Sequence, residues 1–175
     1  MLVINYMSLN TRLGEIWFAS TPKGLFRLNL GSVDTDALRS FFLVGKQVVL
    51  EEGGSTVEKA AREVESYLEG RQKKFTVPLD LTGWSPFAKR VWRATGRIPF
   101  GQVRSYAWVA ERLGGANFAR AVGGAVGMNP IPIIIPCHRV VGAHGALGGF
   151  TGGLHIKRWL LELEAGSQTL PLVGL

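Results

Sequence analysis

The stretch 130–141 holds the residues best suited to chemistry, because it contains the only cysteine of the 175-residue chain. A proline directly precedes Cys137, and His138 and Arg139 directly follow it. The thiolate is the reactive form of cysteine, and a neighbouring histidine or positive field lowers the thiol pKa. A lone cysteine after three isoleucines by itself favours a buried packing residue. The two polar residues that follow the thiol favour a nucleophilic site instead.

Four helices are predicted to position this stretch. Serine before proline at 85–86 is typical of a helix start, and this first helix should run to about residue 95. Ser105 can cap a second helix that ends before Gly114, and Asn117 can cap a third over roughly 118–128. A fourth should run from about residue 154 to near residue 166.

The second and third helices have the layout of a helix-turn-helix, because a short Gly-Gly segment joins them. The third helix is rich in alanine and glycine and has one charged residue, Arg120. Such a surface could lie against the DNA minor groove, which is only about 6 Å wide. Tight packing against another helix explains the small residues equally well.

A glycine-rich segment, 145–153, follows the cysteine. It lacks the pattern of a phosphate-binding loop, and we interpret it as a flexible wall over a pocket. Glu162 and Glu164 lie near the end of the fourth helix, where the helix dipole disfavours acids. A tethering contact could explain one of them, and a solvated helix face is the alternative.

The first half of the chain predicts a small α+β unit without a catalytic constellation. Strands are expected at 2–7, 14–20, 24–30 and 47–50, with a helix from Asp34 to about Leu43. Ser55 and Glu58 have capping-box spacing at the start of a longer helix that ends at Gly70. Residues 71–84 are interpreted as a connector.

Charge is distributed unequally over the two halves. Up to Asp80 there are ten Lys/Arg and ten Asp/Glu, whereas from Leu81 onward there are ten and three, so the net charge of +7 falls entirely in the second half. This asymmetry is typical of a protein that binds a polyanion, although a merely basic surface is the alternative. A single cysteine excludes an internal disulfide framework, which favours a reducing, cytoplasmic location. No apolar run is long enough for a membrane span.

The sequence from Ser85 to Glu164 resembles the O6-alkylguanine-DNA alkyltransferases, on the strength of Pro-Cys-His-Arg-Val, the Asn-Pro eight residues before the cysteine and the glycine loop. The resemblance implies an α+β protein. A ribonuclease-H-like α/β domain at 1–80 would precede a mainly helical, winged-helix-like domain at 81–175 that contains the helix-turn-helix. It further implies minor-groove binding, flipping of a damaged guanine and irreversible, stoichiometric transfer of its alkyl group to the protein.

The resemblance assigns catalytic roles residue by residue. Cys137 would accept the alkyl group, and His138, a water molecule and Glu164 would form the relay that deprotonates it. Asn129 would order the turn around the thiol. Tyr106 would contact the flipped base and assist departure of guanine.

Binding roles follow in the same way. Arg120 would fill the gap that the flipped base leaves, and its neighbours on the third helix would face DNA. Lys157 would support the loop of the base pocket. The neighbours of Arg120 are Ala119, Ala121 and Gly123, and the expected pocket residues are Val140, Phe150 and Thr151.

The chain departs from the family pattern in three ways. Phe150 stands where many members have Tyr, and Gly127 stands where some have a basic residue. The cysteines of the zinc site found in some members are missing, so neither metal nor cofactor is expected. The expected partner is double-stranded DNA containing O6-alkylguanine, bound by a monomer, with cooperative binding left open.

Two alternatives stay open at this point. One is a non-catalytic helix-turn-helix regulator in which the cysteine is structural, and the other is a cysteine–histidine hydrolase. The second would need an oxyanion site, and none is evident in the sequence.

Overall fold

The computed structural model describes residues 2–32, 35–40 and 48–166. The chain forms two compact units, Met1–Asp80 and Leu81–Leu175. The predicted helix from Asp34 to Leu43 is seen only as α1, Thr35–Ser40, because its cap and its last residues lie outside the described ranges.

A four-stranded sheet forms the first unit, with strand order β3-β2-β1-β4. Its strands are β1 (Leu2–Thr11), β2 (Gly14–Thr21), β3 (Gly24–Leu30) and β4 (Val48–Glu52). The hairpin pairs β1/β2 and β2/β3 are antiparallel, whereas β4 returns parallel to β1. Four strands were predicted, and each is confirmed, although β1 extends four residues further than expected.

Helix α2 (Ser55–Leu68) packs on this sheet through an apolar face. The expected face of Val57, Ala61, Val64 and Leu68 is buried. The capping box was wrong, since Ser55 is already helical and the cap residue is Gly54. Glu58 nevertheless accepts a hydrogen bond from the Gly54 amide at 3.3 Å, so half of the expected exchange remains.

The segment after α2 belongs to the first unit rather than to a free connector. The amide of Leu25 donates to the Pro78 carbonyl, and the amide of Asp80 donates to the Leu25 carbonyl, both at 2.8 Å. Glu63, which is buried, accepts from the amides of Thr76 and Val77. The extended segment 76–80 is therefore fixed along β3 and against α2.

The second unit is mainly helical. Its helices are α3 (Pro86–Gly96), α4 (Tyr106–Glu111), α5 (Ala119–Gly127) and α6 (Leu154–Glu164). Two short strands, β5 (Arg104–Ser105) and β6 (Val140–Val141), pair in parallel. Helices α4 and α5 form the helix-turn-helix. Helix α3 also packs on α5, and there the indole of Trp92 donates to the Ala125 carbonyl at 2.8 Å.

Side-chain caps explain where two of these helices begin. Ser85 accepts from the Ala88 amide at 3.2 Å with proline at the first helical position, and Ser105 accepts from the Trp108 amide at 3.0 Å. Both caps were predicted and are confirmed. The Asn117 cap was wrong, because a 3₁₀ turn at Ala116–Phe118 precedes α5 and no side chain caps that helix.

Replacing Ser85 by Ala should lower the free energy of unfolding of the second unit by about 1 kcal/mol, because the Ala88 amide loses its acceptor. Ser85→Asp retains an acceptor and should remain within a few tenths of the parent value. Urea unfolding with an unchanged m-value measures both changes. Equal midpoints for Ser85→Ala and Ser85→Asp would contradict the capping role.

Candidate active site

The loop that leads into Cys137 is closed by one amide side chain. The Asn129 side chain accepts from the Ile131 amide at 3.0 Å and donates to the Ile135 carbonyl at 2.8 Å. A backbone bond of 2.9 Å from the Ile135 amide to the Ile131 carbonyl completes the turn. Asn129 is buried, so these bonds replace water for the loop backbone. The residue thus has the position that the sequence comparison expects of a turn-ordering side chain.

This turn holds one residue in an unfavourable backbone conformation. Ile133 has φ of 71°, in the left-handed region that β-branched residues avoid. Such conformations cost on the order of 1–3 kcal/mol and persist only where the surroundings fix them. Ile133 is fully buried, and the Asn129 bonds close the turn on both sides of it. The strain is therefore located four residues before the thiol.

Pro136 turns the chain at the thiol itself. Its φ of −80° and ψ of 63° define an inverse γ-turn, closed by the Cys137 amide donating to the Ile135 carbonyl at 2.7 Å. A 3₁₀ turn, Cys137–Arg139, follows directly and leads into β6. The turn places three polar side chains in succession inside the unit, since Cys137, His138 and Arg139 are all buried.

Glu164 is the acceptor around which these side chains are organised. One carboxylate oxygen lies 2.8 Å from Nε2 of His138, and the Arg139 guanidinium donates to both oxygens at 2.8–3.0 Å. The Gly101 amide adds a bond of 2.9 Å. Only 1% of the Glu164 side chain is exposed, so its charge depends on these donors. The tether considered for one of the two C-terminal acids is therefore found at Glu164.

His138 is arranged as a neutral base. Burial lowers its pKa, and the nearby charge of Arg139 acts in the same direction, whereas the hydrogen bond to Glu164 opposes both. With Nε2–H assigned to the carboxylate, Nδ1 holds the lone pair that can accept a proton. A histidine oriented by a carboxylate is the arrangement that activates nucleophiles in other enzymes.

Arg139 belongs to the same buried cluster, although sequence reasoning gave it no role. Besides its bonds to Glu164, it donates to the Ile98 carbonyl at 2.7 Å, and its guanidinium carbon lies 5.8 Å from the centre of the Phe100 ring. Because it balances the Glu164 charge, the pair leaves His138 able to remain neutral. Its place next to a buried acid–histidine pair could not be inferred from a spacing of 25 residues.

Burial opposes ionisation of the thiol more strongly than the neighbouring groups favour it. Burial raises the pKa of Cys137 to about 11, although a hydrogen bond from Asn129 and the charge of Lys157 act to lower it. At neutral pH the sulfur therefore holds its proton. Deprotonation must accompany the reaction or follow a change in its surroundings.

Lys157 is completely buried and donates to backbone carbonyls of β6 and of the glycine-rich segment. Its acceptors are Val140 at 2.7 Å, Leu147, and Gly149 at 3.5 Å. Burial lowers its pKa, and the proximity of Cys137 raises it. The ammonium thus fixes the loop at the place expected of it and contributes positive charge near the sulfur.

A cavity of about 290 Å³ opens beside the thiol, at the lower end of the roughly 300–1,000 Å³ usual for ligand pockets. The thiol is only 5% exposed, yet it forms part of the cavity wall. The lining residues come from α4, α5, the Cys137 turn and the glycine loop. They are Tyr106, Gly123, Val126, Gly127, Cys137, Gly149, Phe150 and Thr151.

Of the three predicted pocket residues, Phe150 and Thr151 line the cavity and Val140 does not. Val140 is fully buried, and its carbonyl accepts a hydrogen bond from Lys157, so the residue lies behind the cavity wall. The Tyr106 hydroxyl is next to Gly148, where an added Cβ would approach it to 2.8 Å. Gly148, whose φ is +66°, is therefore a residue that the sequence reading missed.

Helix α5 forms a wall of the cavity and also has an open surface. Arg120 and Ala121 are exposed, and Ala119 and Gly123 are half-buried. Gly123 adjoins the ring of Tyr106, since an added Cβ would lie 3.9 Å from it. The same helix therefore contacts the cavity and presents small side chains to the outside.

Residues 2–32, 35–40 and 48–166 contain neither a metal-binding cluster nor a membrane-spanning helix. No group of three His, Cys, Asp or Glu side chains in these ranges is arranged to hold a metal ion. None of their helices has the length and apolar character that crossing a bilayer requires.

Two family profiles together match nearly the whole described chain. Residues 86–166 match the 6-O-methylguanine DNA methyltransferase DNA binding domain, and residues 4–81 match the ribonuclease-like domain of the same family. The inducible methylated-DNA–protein-cysteine methyltransferase of Bacillus subtilis is 40% identical over 153 residues, which cover 86% of this chain and 84% of that relative. The chain belongs to the 6-O-methylguanine DNA methyltransferase family.

Other members of the family are similar over nearly their full length. The methylated-DNA–protein-cysteine methyltransferase of Methanosarcina acetivorans is 39% identical over 91% of this chain and 97% of its own. The crystal structure of Mycobacterium tuberculosis OGT in complex with DNA is similar with a TM-score of 0.78 and 36% identity. That match covers 93% of this chain and 94% of the other. The predicted α+β fold class, with a ribonuclease-like first domain and a helical second domain, is confirmed.

Replacing Glu164 by Gln should destabilise the second unit by about 3–5 kcal/mol, because Arg139 would remain buried without a carboxylate. Glu162→Gln is the matched control, since Glu162 lies on the same helix and is not fully buried, and it should change stability by less than about 0.5 kcal/mol. Urea unfolding provides the comparison. Similar midpoints for the two variants would show that the buried pair contributes little.

Alkylation of Cys137 by iodoacetamide should still accelerate between pH 8.5 and pH 10 in the folded protein. The thiolate is the reactive form, and with a pKa of about 11 its fraction grows nearly tenfold per pH unit in this range. In urea the alkylation rate of the same thiol should level off above its ordinary pKa of about 8.5. A plateau below pH 9 in the folded protein would contradict the raised pKa.

Proposed function

We propose that this chain repairs O6-alkylated guanine in DNA by moving the alkyl group to the sulfur of Cys137. The observation that supports this most directly is the thiol in the wall of a cavity, with the neutral His138 and the buried Glu164 directly behind it. Relatives across the family are named methylated-DNA–protein-cysteine methyltransferases, which gives the same reaction type.

The transfer step forms one bond and breaks one. The sulfur attacks the saturated alkyl carbon, and the bond from that carbon to O6 of guanine breaks. The thiol proton passes to Nδ1 of His138, directly or through a water molecule, and the departing guanine takes a proton in its place. The products are guanine in DNA and S-alkylcysteine. Because a thioether is not readily hydrolysed, each chain reacts once.

Tyr106 is suited to supply the proton that guanine receives. Its ring forms part of the cavity wall, and burial, followed by the proximity of Cys137, raises its pKa. The phenol is therefore protonated at neutral pH and can donate a hydrogen bond to the base. This role requires the base inside the cavity, which the duplex does not allow without extrusion.

Base extrusion is assigned to α5. Its exposed small residues permit close approach to a groove, and Arg120 is the long exposed side chain that could occupy the vacated space. Flipping costs a few kcal/mol, and the inserted guanidinium would offset part of this cost. We assign Ala119, Ala121 and Gly123 to the contact surface on the same helix.

One chain is sufficient for the proposed reaction, because the thiol of Cys137, the basic side chain of His138 and the cavity all lie within residues 81–166. We therefore propose that the protein acts as a monomer, and that it works in the cytoplasm, where a reducing medium preserves its thiol. The alternative of a regulator with a structural cysteine is not favoured. A packing cysteine does not need a cavity and a histidine–carboxylate pair beside it.

Incubation with a duplex containing O6-methylguanine should add one methyl group per chain, permanently, as read by intact-protein mass. Cys137→Ala should abolish transfer and retain DNA binding. His138→Gln, which removes the base but leaves the thiol, should slow transfer by roughly 100-fold or more. Methyl transfer by Cys137→Ala at the parental rate, or repeated turnover by one chain, would refute the proposal.

A further inference from the structure

Most of the positive charge of the second unit lies away from the helix that is expected to contact DNA. Of its ten Lys and Arg residues, Arg139 and Lys157 are buried at the active site, and α5 contains only Arg120. Four others are on α3 or directly follow it. They form what we call the α3 basic face, which consists of Lys89, Arg90, Arg93 and Arg97.

The α3 basic face lies opposite the buried residues of α3. At about 100° per residue, its four cations centre roughly 170° around the helix from the inward residues of α3. Those inward residues include Trp92, whose indole bonds the Ala125 carbonyl of α5. The basic side chains therefore occupy the outer side of α3, where Lys89 is partly exposed and the three arginines are exposed.

Helix α5 likewise has its open surface opposite its buried residues. Its exposed residues, including Arg120, Ala121 and Gly124, centre roughly 160° from its buried residues, which include Ala125. The α3 basic face and the open surface of α5 are thus two separate outward surfaces, on two helices that pack on each other. We therefore expect a straight duplex against α5 to leave the α3 basic face open to a second segment.

No carboxylate neutralises this face within residues 81–166. The acidic residues of that part are Glu111, Glu162 and Glu164, and its ion pairs are those of Glu164 with His138 and Arg139. Arg90 alone has a structural bond, to the Leu113 carbonyl at 3.0 Å. That bond brings the face next to the end of α4, where the Arg112 guanidinium stacks 3.3 Å from the centre of the Trp108 ring.

The spacing of these cations suits a phosphate backbone. Lys89, Arg93 and Arg97 follow at intervals of four residues, so they span about 12 Å along one side of the helix. One DNA strand has a phosphate for each 3.4 Å or so of duplex axis, so this length corresponds to three or four phosphates. Arginine and lysine without acidic neighbours are the usual phosphate ligands.

We propose that the α3 basic face binds the phosphate backbone of a second duplex segment while α5 contacts the first. The chain would then bridge two DNA segments, which would allow it to pass from one to the other without returning to solution. This inference rests on the proposed binding of DNA by α5, but it does not depend on alkyl transfer.

The test uses the full chain and two short undamaged duplexes with donor and acceptor fluorophores. The parent protein should bring the duplexes together, as read by energy transfer. A variant with Lys89→Gln, Arg93→Gln and Arg97→Gln should lose bridging by at least tenfold. The salt dependence of second-duplex binding should also fall, by about 0.9 in the log–log slope for each lost contact.

A charge-matched control replaces three exposed cations of the first unit, Lys23, Arg62 and Lys74, by Gln. It should bridge like the parent. Bridging that is absent in the parent, or equal in the two triple variants, would overturn the inference. Loss of affinity for a long duplex only, without bridging by the parent, would also overturn it, because the cations would then contact the first duplex.

Methyl transfer from a single short duplex is measured in parallel. It should be unchanged within about twofold in the α3 variant, which also shows that the variant is folded. Normal transfer without bridging refutes the second surface and leaves the proposed function intact. Absence of transfer in the parent refutes the proposed function itself.

Discussion

The buried carboxylate of Glu164 is the constraint on which the rest of the active site depends. A buried acid without partners would be neutral or would destabilise the fold, so it must collect donors. It collects them from two separate parts of the chain, the 3₁₀ turn Cys137–Arg139 and the turn at Gly101. The electrostatic need of one side chain therefore fixes the relative positions of α6 and the Cys137 turn.

This arrangement places a proton acceptor near a thiol that is itself still protonated. In the free protein the thiol is protonated, because burial raises its pKa more than Asn129 and Lys157 lower it. The neutral His138 supplies a base, and the Glu164–Arg139 pair keeps that base oriented. A thiol that is nearly inaccessible and protonated is protected from adventitious electrophiles. An alkylated guanine placed in the cavity would instead lie next to a thiol whose proton His138 can accept. Specificity would then come from access rather than from a permanently reactive sulfur.

Much of the fold could be predicted from local patterns. The strands, the apolar face of α2 and the caps at Ser85 and Ser105 are short-range features, and the structure confirms them. The capping errors at Ser55 and Asn117 arose where a glycine with positive φ or a 3₁₀ turn precedes the helix, which side-chain type does not reveal.

The active site was predictable where residues are adjacent, and less so where they are not. Cys137 and His138 stand out in the sequence, and resemblance supplied Glu164 and Tyr106. The long-range partners of Arg139, the closeness of Gly148 to Tyr106 and the protonated state of the thiol depend on burial and three-dimensional packing. The total charge was correctly read as a feature of the second half, but its location on the outer side of α3 depends on how that helix packs.

Helix α5 lines the cavity on one face and has an exposed surface on another, so a substitution in this helix affects both. Gly123, Val126 and Gly127 form part of the cavity wall, and the neighbouring positions of the same turns are open to the outside. A larger side chain at these positions would therefore change the fit of the alkyl group and the approach of the groove together. Another part of the wall, Gly149–Thr151, belongs to the glycine-rich loop rather than to a helix. Adaptation to bulkier lesions is thus expected to proceed through the loop, while the helix remains small-sided.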